Sequence, residues 1–346
     1  MSRSHERSVA LWLFAVCILI FSMVVVGGLT RLTDSGLSIT EWQPILGAIP
    51  PLTETDWLTA FHKYKEIPEY QLVNKGMSLE AFKYIYWWEW GHRFLGRIIG
   101  LVFFIPLLYF ALTRRLSASM FWPLLGIFCL GAVQGFMGWY MVQSGLSERV
   151  DVSQYRLAMH LTLALVLFSG CFWLGLRLWW QGEILPASGR RVVFGGVLVA
   201  CIFIQAFLGA LVAGTDSGLI YNTWPLMDGD FVPAGVFAAS GGMIDAFEHP
   251  LTIQFNHRIF AYILVFLVIA ELYLVNRRGE PLAIRRSAAI LASSVLVQAV
   301  LGITTLIYAV PLHLGVMHQG MVVLVIAAGL YHLTCLRRHN PVVYHR

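Results

Sequence analysis

The stretch VALWLFAVCILIFSMVVVGGLT, Val9–Thr30, contains no charged residue and ends at Arg31, just before the turn-forming Thr33-Asp34-Ser35-Gly36-Leu37. A helix advances about 1.5 Å per residue, so a run of this length crosses a hydrocarbon layer roughly 30 Å thick. Arg3 and Arg7 precede it, as they would in a signal peptide. The apolar run is too long for one, and no small-residue cleavage site follows, so it reads as a spanning helix.

Working outward, seven more windows have the same character: His92–Thr113, Met120–Val142, Leu157–Trp180, Val192–Gly214, His257–Val275, Ala288–Val310 and Leu314–Leu336. The composition agrees, with 58% hydrophobic and 12% charged residues and a mean hydropathy of +0.70, against about 25% charge in a soluble domain. The expected fold is an all-α membrane protein of eight transmembrane helices.

Short loops rich in Lys and Arg stay in the cytoplasm. Arg3 and Arg7, Arg114 and Arg115, Arg177 with Arg190 and Arg191, Arg277, Arg278, Arg285 and Arg286, and Arg337 with Arg338 all fall on one side of these helices. That side is read as inside, which makes both termini cytoplasmic. The outer side receives residues 31–91, a short loop around Ser144–Arg156, and residues 215–256 with Asp216, Asp228, Asp230, Asp245 and Glu248. The net charge of +5 and the pI of about 9.0 come from the inner anchors. They imply a lipid bilayer as partner and no nucleic acid. Cys17, Cys129, Cys171, Cys201 and Cys335 all lie in apolar segments without a Cys-x-x-Cys motif, and read as small core residues.

The turn after the first helix returns as Thr215-Asp216-Ser217-Gly218-Leu219, and in the same register Trp42 falls on Trp224. Gly91-His92-Arg93 answers to Asn256-His257-Arg258, and Ala158-Met159-His160 to Val316-Met317-His318. The offsets are 182, 165 and 158 residues, and they change only across the outer loops. Two four-helix halves follow, residues 1–185 and 186–346. An even number of helices in each makes them parallel repeats, with equivalent residues at equal depth.

His92, His160, His257 and His318 each open an even-numbered helix and lie near the outer interface. One such histidine is ordinarily an interfacial residue bonded to a carbonyl, but four at matching positions are a ligand set. Two imidazoles on facing helices occupy both axial positions of a heme iron, and the natural pairs are His92 with His160 and His257 with His318. Arg93 and Arg258 follow the first member of each pair, where a guanidinium meets heme propionates or simply snorkels. Zinc and di-iron centres call for His-Glu-x-x-His or paired Glu-x-x-His, which the sequence lacks.

The halves differ at four charged positions. Glu89, three residues before His92, has Gln254 as its counterpart, Arg31 has Ala213, Glu41 has Thr223, and Arg97 has Tyr262. If the helix extends back through Glu89, that carboxylate shares a face with His92 and is placed to act as a base; the competing reading is an ion pair with Arg97 or Arg31. Gln134-x-x-x-Gly138, Gln205-x-x-x-Gly209 and Gln298-x-x-x-Gly302 read as helix packing. Trp87, Trp88 and Trp90 read as an interfacial belt. Residues 56–64 have apolar side chains at helical spacing, which places them on the membrane surface as a cap for the site.

The segment from Gly28 through Arg31, Thr33-Asp34-Ser35-Gly36-Leu37 and Glu41 to Trp42 closely resembles the heme A synthase family, as do Glu89-Trp90-Gly91-His92-Arg93 and the three later histidines. Some members carry a cysteine pair in the first outer loop; this chain has none there, so it is similar to the proteobacterial and mitochondrial class. The resemblance implies oxidation of the C8 methyl group of heme O to a formyl group through a hydroxymethyl intermediate. It implies that heme O is bound by His92 and His160 in the first half and a cofactor heme b by His257 and His318 in the second. Glu89 becomes the catalytic residue, with Arg31, Arg93, Arg97 and Arg258 supporting the site. A heme O synthase and an electron-transfer partner are expected, and a homo-oligomer is compatible with this reading. No Arg- and Ser-rich presequence precedes the first helix, which favours a bacterial inner membrane with the heme sites near the periplasmic face. The alternatives are a diheme b-type cytochrome that leaves heme unmodified and a heme transporter or chaperone. Neither gives Glu89 a task.

Overall fold

The computed structural model describes residues 3–147, 149–180, 189–236 and 244–338. Among these, regular structure is helical apart from one isolated bridge between Met227 and Asp230. In chain order the helices are α1 (Arg3–Leu32), α2 (Glu54–Tyr64), α3 (Pro68–Leu72), α4 (Leu79–Leu112), α5 (Ala118–Gln143), α6 (Gln154–Trp180), α7 (Arg190–Gly214), α8 (Asp245–Glu248), α9 (Pro250–Arg277), α10 (Leu282–Ile307) and α11 (Leu312–Arg338). Eight of them, all but α2, α3 and α8, are long and apolar enough to span a bilayer. The expected all-α, eight-helix membrane architecture is therefore present.

The even-numbered spans begin earlier than charge-free windows suggest. α4 starts at Leu79, well ahead of His92, because Ser78 caps it by accepting from the Ala81 amide at 3.2 Å, and because its first turns bury Phe82, Ile85 and Tyr86. Glu80, Lys83 and Glu89 cut the hydropathy window without cutting the helix. His92 consequently lies mid-helix and does not open it, and Glu89 lies on the same helix one turn before.

The amphipathic segment of the first outer loop does form a helix, α2. Thr53 caps it reciprocally: the Asp56 amide donates to the Thr53 hydroxyl at 3.2 Å, and the Thr53 amide donates to the Asp56 carboxylate at 2.9 Å. Its apolar face packs on protein. Phe61 stacks on Phe82 with centroids 4.9 Å apart, and Trp57 meets Tyr86 edge-on at 5.0 Å. These aromatic pairs bury the face that was expected to lie on lipid, so α2 is part of a small core with α4.

The chain packs as two compact units. One comprises Ala15–Leu167; the other comprises the chain from Phe168 onward together with the segment ending at Phe14. The expected boundary between residues 185 and 186 lies outside the described residues. In the first unit α4 packs on α5 through Phe104 and Phe128, whose centroids are 5.2 Å apart. In the second, α7 packs on α9 and α11, and α10 packs on the same two, which closes a four-helix bundle. Buried in that bundle, the Glu271 carboxylate lies 3.2 Å from His332 Nε2, and His332 Nδ1 lies 2.9 Å from the Ser287 hydroxyl.

Candidate functional site

In the first unit His92 rests against α1: a Cβ placed on Gly27 would be 3.2 Å from its Nε2. His160 on α6 rests against α5, with a Cβ on Gly138 reaching its Cε1 at 3.0 Å. Gln134, one turn before Gly138, donates its amide to the His160 carbonyl at 3.1 Å and lies 3.4 Å from the ring Nε2. His92 and His160 lie close to one another within the unit.

The second unit repeats this arrangement. A Cβ on Gly209 would reach His257 Cε1 at 3.0 Å, and one on Gly302 would reach His318 Cε1 at 2.8 Å. Gln205 donates to the His257 carbonyl at 3.1 Å, and Gln298 to the His318 carbonyl at 3.0 Å. The same amides lie 3.0 Å from His257 Nδ1 and 3.2 Å from His318 Nδ1. His257 and His318 likewise lie close to one another.

The Gln-x-x-x-Gly motifs therefore do more than pack helices. The glycine gives room to an imidazole that any side chain would displace, and the glutamine one turn away holds that histidine's backbone and ring. The signal was legible in the sequence as three equal spacings; what it lacked was the partner, which only the helix pairing supplies.

Each unit also ties its outer loop down in the same way. Asp34 and Asp216 adopt left-handed backbone with φ of 49° and 50°, a conformation that Asp tolerates. Thr33 and Thr215 each hydrogen-bond back to the preceding helix, at Leu29 O and Leu211 O. Arg93 donates to the carbonyls of Ile39 at 2.8 Å and Glu41 at 2.9 Å, and Arg258 to those of Tyr221 at 2.7 Å and Thr223 at 2.8 Å.

Glu89 is 2% exposed. Its Oε1 accepts from Arg93 Nη2 at 2.6 Å and Nε at 3.0 Å, and its Oε2 from the Ser38 hydroxyl at 2.7 Å and the Ile39 amide at 2.8 Å. The cation partner is Arg93, neither Arg97 nor Arg31. Arg97 donates to the carbonyls of Pro44 and Gln43 at 2.8 and 2.9 Å, while Arg31 pairs with Asp34 at 3.2 Å and Asp151 at 3.4 Å. In the second unit Gln254 reverses the polarity and donates to the carbonyls of Ser217 at 2.8 Å and Tyr221 at 3.2 Å.

The profile of a cytochrome oxidase assembly protein family matches residues 10–330. A heme A synthase of Azorhizobium caulinodans is 50% identical over 339 residues, 97% of this chain and 96% of that protein. The chain belongs to the heme A synthase family. Heme A synthases of Parvibaculum lavamentivorans and Rhizobium etli are 47% and 49% identical, over 95% and 91% of this chain and 94% and 86% of theirs. Membership in this family implies that heme is involved.

The residues fit such a group. Imidazole is a ligand of heme iron, and His160 Nδ1 and the Oε1 atoms of Gln134, Gln205 and Gln298 are buried without a partner among the described residues. Those residues offer no group of three or more His, Cys, Asp or Glu for a bare metal ion. Two imidazoles per unit, each backed by a glycine, suit a flat macrocycle with axial ligands. In the same unit, the Tyr64 hydroxyl donates to Glu69 at 3.2 Å and accepts from Asn74 at 2.8 Å. Burial, helped by the charge on Glu89, pushes the Glu69 carboxyl up to about 8.

Proposed function

We propose that this chain is a heme A synthase that oxidises the C8 methyl group of heme O to a hydroxymethyl and then to the formyl group of heme A. The observation that carries this reading is the paired histidine arrangement within a chain related over nearly its whole length to proteins of that name. In this reading residues 1–185 form the half that takes the substrate heme between His92 and His160. Residues 186–346 form a parallel half that keeps a heme b between His257 and His318. Heme b, when bound by His257 and His318, would supply a redox-active iron. Both steps are oxidations, so an electron acceptor is a required partner, and a heme O synthase supplies the substrate. The excess of Arg on one side supports a bacterial inner membrane, both termini in the cytoplasm and the histidines toward the periplasm. Homo-oligomers are compatible with this arrangement.

Glu89 assists removal of a proton at the oxidised methyl. Because both of its oxygens already accept hydrogen bonds, the proton passes through the Ser38 hydroxyl, which donates to Oε2 and keeps a lone pair with which to accept. Arg93 and Arg258 hold the outer loops through main-chain carbonyls, Arg31 pairs with Asp34 and Asp151, and Arg97 braces the first loop at Gln43 and Pro44. The charge of Glu89, absent at Gln254, favours oxidation in the first half over a cytochrome that treats both hemes alike.

The test is heme extraction and mass spectrometry of cells expressing this chain with a heme O synthase, beside cells lacking the chain. Heme A or its hydroxymethyl precursor is expected only with the chain. Unmodified heme O, with two b-type hemes in the purified protein and a working electron acceptor present, would overturn the reading.

A further inference from the structure

Three of the four histidines have a glutamine amide on their main-chain carbonyl and beside their ring; His92 has neither. The odd-numbered register explains why. Gly27 backs His92 as Gly209 backs His257, and the offset of 182 residues that relates them also relates Met23 to Gln205. Met23 therefore stands where the amide would be. A Cβ on Gly96 would lie 3.4 Å from its Cε, and the Gly96 amide is the helical partner of the His92 carbonyl. The methyl end of Met23 thus occupies the neighbourhood of that carbonyl, and a thioether has no proton to donate.

A second observation is independent of the first. His160, His257 and His318 each turn Cε1, flanked by both ring nitrogens, toward their glycines. His92 turns Nε2 and Cδ2 toward Gly27. The ring is oriented differently at the one position without the amide, and among the described residues it has no side-chain hydrogen bond.

We propose that Met23 makes His92 the exchangeable axial ligand of the first half. This rests on the heme-binding reading above. His160, held by Gln134, is the fixed point on which substrate heme docks and product heme leaves, by making and breaking the bond to His92. Both ligands of the second half are held, as a resident group requires. Loss of such outer support costs roughly 10–100-fold in metal affinity, and Met23 builds that loss in at one ligand of four. The residue is a positioning residue and does not touch the reacting methyl.

The experiment follows transfer of heme from the purified, heme-loaded chain to excess apomyoglobin, with the released hemes identified by chromatography and the low-spin ferric signals recorded by electron paramagnetic resonance. Met23→Gln is expected to slow release of the first-half heme roughly tenfold or more, to shift its resonance signal, and to leave release of heme b unchanged. Met23→Leu is expected to release as the parent does, and Gln205→Met to speed release of heme b. If Met23→Gln releases at the parental rate, or if Met23→Leu slows release equally, the proposal is wrong. Should Met23→Gln fail to fold, unchanged release from Gln205→Met would overturn it alone. Failure of the heme-binding reading looks different: His92→Ala and His160→Ala would then retain the parent's full heme content.

Discussion

Glu89 accepts a hydrogen bond from the Ser38 hydroxyl at 2.7 Å, and both side chains are buried. The Ile39 amide donates to the same carboxylate oxygen at 2.8 Å, so this buried acceptor on α4 fastens the loop after α1 alongside the Arg93 donations to the Ile39 and Glu41 carbonyls. Glu89→Gln replaces one acceptor by a donor, and either Ser38 or Ile39 or Arg93 must lose its partner. A buried donor left unpaired costs about 1–3 kcal/mol. The variant is expected to retain heme, to stall oxidation, and to exchange amide hydrogens faster over residues 33–41. Ser38→Ala keeps the carboxylate with Arg93 and Ile39; it should slow heme A formation while leaving exchange over the rest of the loop near parental. Full heme A production by Ser38→Ala would remove the hydroxyl from the proton path.

The glycines behind the imidazoles make a graded prediction. Gly302→Ala brings a methyl to 2.8 Å from His318, closer than carbon atoms approach, and Gly209→Ala and Gly138→Ala bring one to 3.0 Å from theirs. Each should cost the heme of its own half, read as a drop from two hemes per chain toward one in a pyridine hemochromogen assay. Gly100→Ala, with nothing within 4 Å of the new methyl, is the control and should bind the parental amount.

Within α9 and α11, Glu271 and His332 are 5% and 0% exposed and share the Ser287 hydroxyl's network. Removing one member of a buried hydrogen-bonded pair leaves the other unsatisfied, at about 1–3 kcal/mol. Glu271→Ala should lower the melting temperature in detergent strongly, and Glu271→Gln, which still accepts from His332, much less. Equal melting of the two variants would show that the pair contributes little.

Glu69 links the outer cap to pH. Its folded value of about 8 stands above the ordinary 4.5, chiefly through burial. Between these values the folded chain holds a proton that the unfolded chain has released. The stabilisation is fully present below about 4.5 and is lost as pH rises through about 8. Hydrogen exchange over residues 54–74 should quicken between pH 6 and roughly pH 9 beyond the intrinsic rate, and Glu69→Gln should flatten that extra dependence.

Hydropathy alone located all eight spans, because a bilayer requires long apolar helices with their own hydrogen bonds satisfied. It misplaced the start of α4, where Glu80, Lys83 and Glu89 are carried by a helix that continues into the outer cap. The four histidines and the Glu89 and Gln254 contrast were legible from the repeat. What the sequence hid was pairing across helices: that Arg93, and not Arg31 or Arg97, meets Glu89, and that each glutamine faces a histidine. Spacing within a helix determines which residues share a face, but it leaves open which neighbour that face meets.

Arg93 and Arg258 grip their loops entirely through main-chain carbonyls on the loop side, at Ile39 and Glu41 in one unit and Tyr221 and Thr223 in the other. A grip on peptide oxygen is indifferent to the side chain that follows. An isoleucine can therefore stand where the other half has a tyrosine, and a glutamate where it has a threonine, with the loop's path unaltered. The constraint falls on the two arginines, and the side chains of the loop residues they hold are left free to differ between the two units without refolding either.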